Sequence, residues 1–274
     1  FDPQAGESLE VKVALSGVST AGALMNLQAE ASSASFEQLA EQAANNWEQA
    51  LGVLDAQGSE DQLAMLYTSL YHTMINPCVY MDVDGHYRGL DNNIHRAEGF
   101  TNYTVFSVWD TYRALHPLFN IINRQVNTDI AQSMLRHCAQ SVHHALPIWS
   151  HMANENWCMI GYHSVSVLAD AIAKGLPIDK EQALKAMVSS STIPYYEGTK
   201  EFMENGFVPL ECSGSAGSLT LEYAYDDWTI YQTALRAGDQ QTAARYKQRA
   251  ENYQKVFDTS LGYARPRHAN GQFK

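Results

Sequence analysis

The sequence predicts a mainly α-helical fold, and three observations support this prediction. Apolar residues recur at three- and four-residue intervals over most of the chain after Gly22, which is the period of an amphipathic helix. The predicted helices follow one another as antiparallel pairs with long connections on one side, which is typical of a helical toroid but also fits a helical bundle. No fixed-period repeat is present, which argues against a solenoid.

Composition excludes several classes of function. The 274 residues carry a formal net charge of −12, which does not favour binding to nucleic acid or to an anionic membrane. No apolar run is long enough to span a membrane. The four cysteines are far apart and form no CxxC pair, so a zinc site is not expected, whereas one or two disulfides are left open.

The N-terminal stretch predicts one β-strand. Leu9–Leu15 alternates apolar and polar residues, and no following stretch offers it a partner strand. We therefore expect it to be the last strand of a β domain that precedes residue 1. The chain begins at Phe1 and residues 1–10 lack the features of a signal peptide, so an export signal is expected, if anywhere, further upstream.

Two capped helices and a hairpin are predicted next. Ser35 can cap a helix that runs to about Asp55, and Ser59 can cap a second that ends before Pro77. The following stretch, CVYMDVDGHYRGL, predicts a hairpin that turns near Asp84–Gly85, since the remaining acidic ligands of an EF-hand loop are absent. Six further helices are predicted over 104–121, 128–145, 161–174, 179–190, 219–237 and 241–257, with a long irregular run after the fourth.

The stretch Thr104–Ile121 is the first candidate site. As one helix it would place two aromatic rings, a carboxylate and a guanidinium in a single sector, which suits a sugar. An ordinary ion pair between Asp110 and Arg113 is the alternative interpretation. The residues in this sector are Phe106, Trp109, Asp110, Arg113 and Pro117.

Three carboxylates lie within six residues in the second candidate stretch, Ser218–Ala237. On a helix Glu222 and Asp226 share a face, while Asp227 points about 100° further round. If buried, the three carboxylates would repel one another, which would raise the pKa of at least one of them. Paired carboxylates are the groups that hydrolyse glycosides. An acidic helix start is the alternative. The predicted packing face of this helix comprises Leu221, Ala224, Tyr225, Trp228, Gln232 and Leu235.

The third candidate stretch is Asn154–Asp170. Trp157 and His163 flank the start of a predicted helix, whose electropositive end can meet an electron-rich ligand, although a single histidine is more often structural. His143 and His144 are adjacent and so make a poor metal pair. No P-loop, GxGxxG, HExxH or GxSxG motif is present, which weakens the kinase, dehydrogenase, metalloprotease and esterase hypotheses.

These stretches together resemble glycoside hydrolase family 92, the calcium-dependent exo-acting α-mannosidases. FSVWDTYRALHPL, CMIGYHSVSVLADA and TLEYAYDDW occur in the family's order. VKVALSGVSTAGALMNLQAE resembles the exit from its β-sandwich, YMDVDGHYRGLD its hairpin, and LGYARPRHANGQF the segment after the third motif. The likeness runs essentially from end to end.

The resemblance implies an (α/α)6 toroid, partial in this chain, preceded by the terminal strand of a β-sandwich. The implied domains are the sandwich end at 1–22, linker helices and hairpin at 23–100, and the first half of the catalytic domain at 101–274. It implies release of terminal α-linked mannose with inversion, which uses two separated carboxyl groups. The calcium ligands, the acid and the base are all expected beyond Lys274. The substrate-binding residues implied are Trp109, Asp110, Arg113, Trp157, His163, Glu222, Asp226 and Asp227.

Two alternatives remain beside this hypothesis. One is another inverting (α/α)6 glycosidase, and the other is a catalytically incomplete carbohydrate-binding fragment. A half-toroid alone is not expected to turn over substrate, because its inner helices would have an open apolar side. The resemblance implies that mannose-containing glycans and the remainder of the same polypeptide are the partners, and that the protein is periplasmic or secreted.

Overall fold

Helices carry most of the structure, which is a computed structural model that describes residues 9–274. The mainly α-helical prediction is therefore confirmed. No helix in the described range has the length and apolarity needed to cross a membrane. The helices are α1 (Thr20–Glu30), α2 (Phe36–Leu51), α3 (Glu60–Thr73), α4 (Val108–Thr111), α5 (Leu115–Ile122), α6 (Arg124–Gln140), α7 (Ser164–Ala173), α8 (Lys180–Ser190), α9 (Thr199–Asn205), α10 (Ala216–Ala237) and α11 (Gln240–Ala250).

The strands are two or three residues long and form four antiparallel pairs within the described range. Such short ladders fix the ends of loops and do not form a separate layer. The pairs are β1 (Cys78–Val79) with β4 (Tyr103–Thr104), β2 (His86–Arg88) with β3 (Ile94–Arg96), β5 (Ser150–His151) with β6 (Asn154–Glu155), and β7 (Phe257–Asp258) with β8 (Tyr263–Ala264).

The predicted caps of α2 and α3 are confirmed. Ser35 and Ser59 each accept a hydrogen bond from the backbone N–H three residues later, and the glutamine at that position bonds back to the serine N–H. These are complete capping boxes, which satisfy two free N–H groups at each helix start. Helix α3 ends at Thr73, four residues before Pro77.

The prediction of one continuous helix over 104–121 is wrong. Thr104 belongs to β4, Val105 has a positive φ of 62°, and helix reappears only as α4 and then α5. A proline inside a helix removes a hydrogen bond and clashes with the preceding turn. The break before Leu115 puts Pro117 in the first turn of α5, where no intrahelical N–H bond is needed.

The predicted hairpin over 78–90 is also wrong in its pairing. A turn does form at Gly85, whose N–H donates to the Asp82 carbonyl. The strand after the turn, β2, pairs with β3, whereas β1 pairs with the more distant β4. Local turn chemistry predicted the turn correctly but not the long-range partner of β1.

Leu9–Leu15 has no strand partner among the described residues. Its alternating apolar residues Leu9, Val11, Val13 and Leu15 are 59–84% exposed. A single extended segment gains no ladder hydrogen bonds, so the structure assigns it no strand. The predicted β-sandwich end covers residues 1–22, and its first eight residues lie outside the described range.

The later helices keep their predicted order with shifted ends. The helix predicted over 179–190 matches α8, whereas α6 begins and ends earlier than predicted. The helix predicted to end at 257 stops at Ala250 and continues as a 3-10 helix over Glu251–Val256. The irregular run contains α9, which was not predicted and which lies between Gly198 and Gly206, both at positive φ.

The predicted packing face of α10 is only partly correct. Leu221, Tyr225, Trp228 and Leu235 are between 38% and 50% exposed, although Ala224 is buried. Helix α10 instead packs against α7, α8 and α11 through a second apolar face. The buried side chains of that face include Leu219, Tyr223, Ile230 and Ala234, with Asp226 and Asp227 among them.

The capping box of α3 gives the first prediction. Ser59→Ala removes the acceptor for the Gln62 N–H and should destabilise α3 by about 1 kcal/mol. Faster hydrogen exchange of the α3 amides would report this loss. The control is Ser69→Ala in the same helix, where an exposed serine donates to the Met65 carbonyl and alanine has the higher helix propensity. Equal exchange in the two variants would contradict the prediction.

Candidate functional site

A buried histidine lies at the centre of the candidate site. His163 immediately precedes α7 and is 1% exposed. Its Nδ1 lies 2.8 Å from Asp226 Oδ1, and its Nε2 lies 2.8 Å from Glu222 Oε2. The contact with Asp226 is an aligned hydrogen bond, whereas that with Glu222 has ion-pair distance without hydrogen-bond alignment. The structure thus joins Glu222 and Asp226 through one imidazole, as their shared helix face predicts.

Gly161 allows the chain to reach this position. Its φ is +83°, a conformation that favours glycine, and a Cβ placed there would lie 2.3 Å from His163 Nε2. Tyr196 donates its hydroxyl to the carbonyls of Gly161 and Met159, which holds the loop against the core. The loop before α7 is therefore shaped around the histidine ring.

The two carboxylates determine the charge of His163. Burial alone lowers the pKa of His163, but the charges of Asp226 and Glu222 and their contacts with the ring outweigh burial and raise it to about 9. A cation at a helix N-terminus is opposed by the helix dipole, so these carboxylates also compensate that effect. The sequence predicted that an electron-rich group meets the start of α7, and in the structure this group is the carboxylate of Asp226. Asp226 also accepts a hydrogen bond from the Tyr162 N–H at 2.8 Å.

Tyr112 connects this cluster to α4. Its ring stacks on His163 with centroids 4.0 Å apart and an interplanar angle of 13°. Arg113 donates to the Tyr112 hydroxyl at 2.7 Å. Burial, reinforced by Glu222, raises the pKa of Tyr112 to about 12, so the hydroxyl stays neutral. Tyr112, which follows α4, thus packs on His163, which in turn contacts the α10 residues Glu222 and Asp226.

Asp110 and Trp109 lie on α4 with exposed surface. Asp110 Oδ2 accepts a hydrogen bond from Ser107 Oγ at 2.5 Å. Within the described residues no ion pair joins Asp110 to Arg113. The ordinary ion pair that was the alternative interpretation of this stretch therefore does not form. Phe106 is fully buried against His137, so it does not share a surface with Trp109.

Asp227 points away from His163. Its side chain is fully buried, and it accepts hydrogen bonds from Arg249 Nε at 2.7 Å and from the Tyr162 hydroxyl at 2.8 Å. Burial raises the pKa of Asp227 to about 7, and Arg249 opposes this shift. Asp227 therefore stabilises the scaffold behind the site, and the expectation that one buried carboxyl has a raised pKa agrees with the structure.

Trp157 belongs to a separate aromatic cluster. Its ring packs with His143, Tyr195 and Tyr196, at centroid distances of 5.1, 6.5 and 5.6 Å. Trp157 has a positive φ of 54°, which is unusual for a residue with a side chain. The structure connects this cluster to the residues around His163 through the loop that Tyr196 holds and through the packing of Tyr196 on Tyr223.

An open cavity of about 340 Å³ lies beside the histidine cluster. Its wall combines aromatic rings with side chains of both charges and the half-buried amide of Gln232, a composition that suits a polyhydroxylated ligand. Asp110 and Trp109 are not part of this wall. The lining includes Tyr112, Arg113, Asp170, Tyr225, Trp228, Gln232 and Arg236.

Three residues that the candidate site depends on were not predicted from the sequence. Tyr112 and Tyr162 each lie next to a predicted residue, and their position inside the WDTYR and GYH stretches was the available signal. Arg249 lies 22 residues after Asp227, on another helix, and no local pattern marks it.

Aromatic rings beside charged hydrogen-bonding groups, gathered around α10 in a mainly helical fold, are the groups with which proteins bind sugars. Residues 22–274 match the glycosyl hydrolase family 92 catalytic domain, and the chain therefore belongs to this family. The α-mannosidase BT3965 of Bacteroides thetaiotaomicron shares 45% identity over 94% of the chain, with a TM-score of 0.91. The inverting mannosidase BT2199 of the same species shares 32% identity over 94% of the chain, with a TM-score of 0.88.

The chain spans about a third of the length of these solved structures, 35% of BT3965 and 36% of BT2199. The family 92 hydrolase ccman5, at 24% identity and a TM-score of 0.73, has the same fold. No curated protein matches the chain. The agreement of fold with these structures confirms the predicted helical toroid class.

The charge of His163 gives the second prediction. Its pKa is raised from 6.5 in an unfolded chain to about 9, so its contribution to stability is complete below pH 6.5 and is lost as pH rises to about 9. His163→Gln should cost roughly 3–5 kcal/mol, because one partner of a buried pair is removed. The free energy of unfolding, measured by denaturant titration from pH 6 to 9.5, should differ most from the parent at low pH.

The control for this variant is His72→Gln, which changes an exposed histidine on α3 that contacts neither carboxylate. A difference between His163→Gln and the parent that stayed constant over the whole pH range would contradict the assigned charge. The control should follow the parent at every pH.

Proposed function

We propose that this chain is part of an inverting, calcium-dependent exo-α-mannosidase, and that its site binds the terminal mannose. The observation that carries this proposal is the connection of the exposed Trp109–Asp110 turn to Glu222. Tyr112 follows α4 directly and stacks on His163, which lies between Glu222 and Asp226. Family membership and the α-mannosidase relatives support the choice of substrate.

Each proposed contact has a chemical reason. The Asp110 carboxylate can accept two hydroxyl hydrogen bonds from neighbouring positions of a pyranose, and charge-assisted bonds of this kind are strong. Trp109 offers a ring face to the C–H side of the sugar. Arg113 and Glu222 add a donor and an acceptor at the edge of the same cluster, and Glu222 keeps partial exposure there.

The two buried carboxylates of α10 do not suit the role of catalytic acid or base. Asp226 and Asp227 are fully buried and already paired with His163 and Arg249. An inverting glycosidase needs one carboxyl group near the glycosidic oxygen and another that activates a water molecule, roughly 6.5–9.5 Å apart. We propose that both groups come from the part of the polypeptide after Lys274, and that residues 101–274 supply substrate binding and support.

Calcium dependence is part of the proposal, although the donor set described here does not fit the ion. Calcium takes six to eight oxygen ligands. Among residues 9–274 no group of three acidic, histidine or cysteine side chains converges as a metal site. No mechanistic step in this chain is therefore assigned to the metal. We propose that its ligands lie elsewhere in the complete polypeptide.

The proposed substrates are mannose-containing glycans such as N-glycans, and the proposed location is the periplasm or the exterior of the cell. The support for the substrate is the family and its α-mannosidase members. The location follows from where such glycans are found.

Substitution of Asp110 tests the substrate site. In the complete polypeptide, Asp110→Asn should lower kcat/KM for an α-mannoside by roughly 10- to 100-fold, because a charge-assisted hydrogen bond is worth about 1.5–3 kcal/mol. Release of mannose measures this effect. Asp61→Asn is the control, since Asp61 is exposed on α3. Retention of full activity by Asp110→Asn would remove this residue from the site.

The stereochemistry and the metal are tested with the same polypeptide. An inverting enzyme releases β-mannose first from an α-mannoside, which proton NMR of the anomeric region detects. A chelator should abolish mannose release, and added calcium should restore it. Hydrolysis of an α-glucoside in place of the mannoside would support another glycosidase, and sugar binding without turnover would support a binding fragment.

A further inference from the structure

A chain of buried polar side chains runs through the interior beside the candidate site. His116 Nδ1 lies 2.8 Å from Asn127 Oδ1, and Asn127 Nδ2 donates to Asn120 Oδ1 at 2.7 Å. Asn120 Nδ2 then donates to Asp170 Oδ2 at 2.8 Å. His116, Asn120 and Asn127 are 0–1% exposed, and every polar atom of their side chains has a partner.

The direction of these hydrogen bonds can be assigned from the network. The Asn127 amide group donates to Asn120, so its oxygen is the acceptor that faces His116 Nδ1. Burial lowers the pKa of His116 to about 4, despite the hydrogen bond to Asn127, so the ring is neutral. A neutral ring with its proton on Nδ1 has an acceptor at Nε2. The group at Nε2 must therefore donate.

Thr111 is the donor at that end. Its Oγ1 lies 3.0 Å from His116 Nε2 and 3.2 Å from the Ser107 carbonyl oxygen one turn earlier, so its single proton has two acceptors, of which the imidazole is the nearer. Thr111 is the last residue of α4. Every member of the chain thus donates toward Asp170, whose carboxylate also accepts from Lys174 Nζ at 2.8 Å. Hydrogen bonds aligned in one direction strengthen one another in a medium of low dielectric.

Helix α4 needs such a tie because it is only four residues long. One turn of helix is not stable by itself, since nucleation fixes several residues for one hydrogen bond. Ser107, the N-cap of α4, makes no side-chain capping bond to its backbone. The contact between Thr111 and His116 joins the end of α4 to the hydrogen-bonded interior network. Pro117, the residue after His116, keeps α5 from extending backward into this region.

We propose that His116 is a positioning residue, which orients Thr111 and thereby fixes the Trp109–Asp110 turn for its sugar ligand. This inference rests on the proposed function, because the turn is the proposed mannose contact. The three buried polar side chains His116, Asn120 and Asn127 are costly to bury and would be unnecessary if the core needed only apolar packing. The hydrogen bonds between these side chains run in one direction and start at Thr111 of α4, so a role in holding α4 accounts for their presence here.

The primary test uses the complete polypeptide with Thr111→Val and Thr111→Ser. Valine keeps the shape of threonine and removes the hydroxyl, whereas serine keeps the hydroxyl. Thr111→Val should reduce kcat/KM for an α-mannoside about tenfold and increase hydrogen exchange in a peptide that covers residues 107–112. Thr111→Ser should retain the activity and the protection of the parent. Exchange in α8 should stay unchanged in both variants, which shows that the fold is intact.

A second pair of variants tests the role of the ring. Glutamine at 116 can place a polar atom near the Nε2 position, whereas asparagine can place one only near Nδ1. His116→Gln should therefore protect residues 107–112 better than His116→Asn. Thr111→Val should have a smaller effect in the His116→Asn background than in the parent, because the contact with His116 is already lost there and only the contact with the Ser107 carbonyl remains.

The outcomes separate this inference from the proposed function. Unchanged exchange of residues 107–112 in Thr111→Val, or equal loss of protection in Thr111→Val and Thr111→Ser, would overturn the positioning role. A parent polypeptide without mannosidase activity would contradict the proposed function, while the exchange measurements would still test the contact between Thr111 and His116. Exchange that rises throughout the protein in Thr111→Val would mean that the network is only structural, and this too would overturn the inference.

Discussion

Asp226 and Asp227 are adjacent on α10, and both are fully buried. Two neighbouring carboxylates cannot be buried without compensating charges and hydrogen bonds, and they point about 100° apart on a helix. Their cations must therefore come from different elements, His163 before α7 and Arg249 on α11. Tyr162 completes both sites, since its N–H donates to Asp226 and its hydroxyl to Asp227. This requirement fixes α7 and α11 on α10.

The candidate site extends outward from this buried arrangement. His163 is held on one side by Asp226 and contacts the more exposed Glu222 on the other, so a structural ion pair also positions a surface carboxylate. The flat face of the imidazole then supports Tyr112 and with it the end of α4. The groups proposed to meet a sugar are therefore one contact removed from the core, which restricts their motion without burying them.

Sequence patterns identified helix starts and the carboxylates of α10 better than they identified the residues that these carboxylates contact in other elements. The cap serines Ser35 and Ser59 located the starts of α2 and α3, because a cap depends on residues that are close in sequence. The spacing of Glu222 and Asp226 correctly placed them on one face. The arginine partner of Asp227 lies 22 residues away and leaves no periodic signal. For α10 the apolar period identified a face that is half-exposed here, since a helix with two apolar faces does not show which one packs.

The broken helix around α4 shows why a sequence pattern fails most readily at a binding site. Asp110 and Arg113 are three residues apart, a spacing at which opposite charges on a helix can pair. They do not pair here, because Asp110 accepts from the hydroxyl of Ser107 and Arg113 donates to the hydroxyl of Tyr112. Neutral partners leave each charge able to make further hydrogen bonds with a ligand, which a closed ion pair would not. The two hydroxyl partners thus keep both charges available, and the contacts of Phe106 with Ser150 and of Thr111 with His116 hold the stretch that carries them.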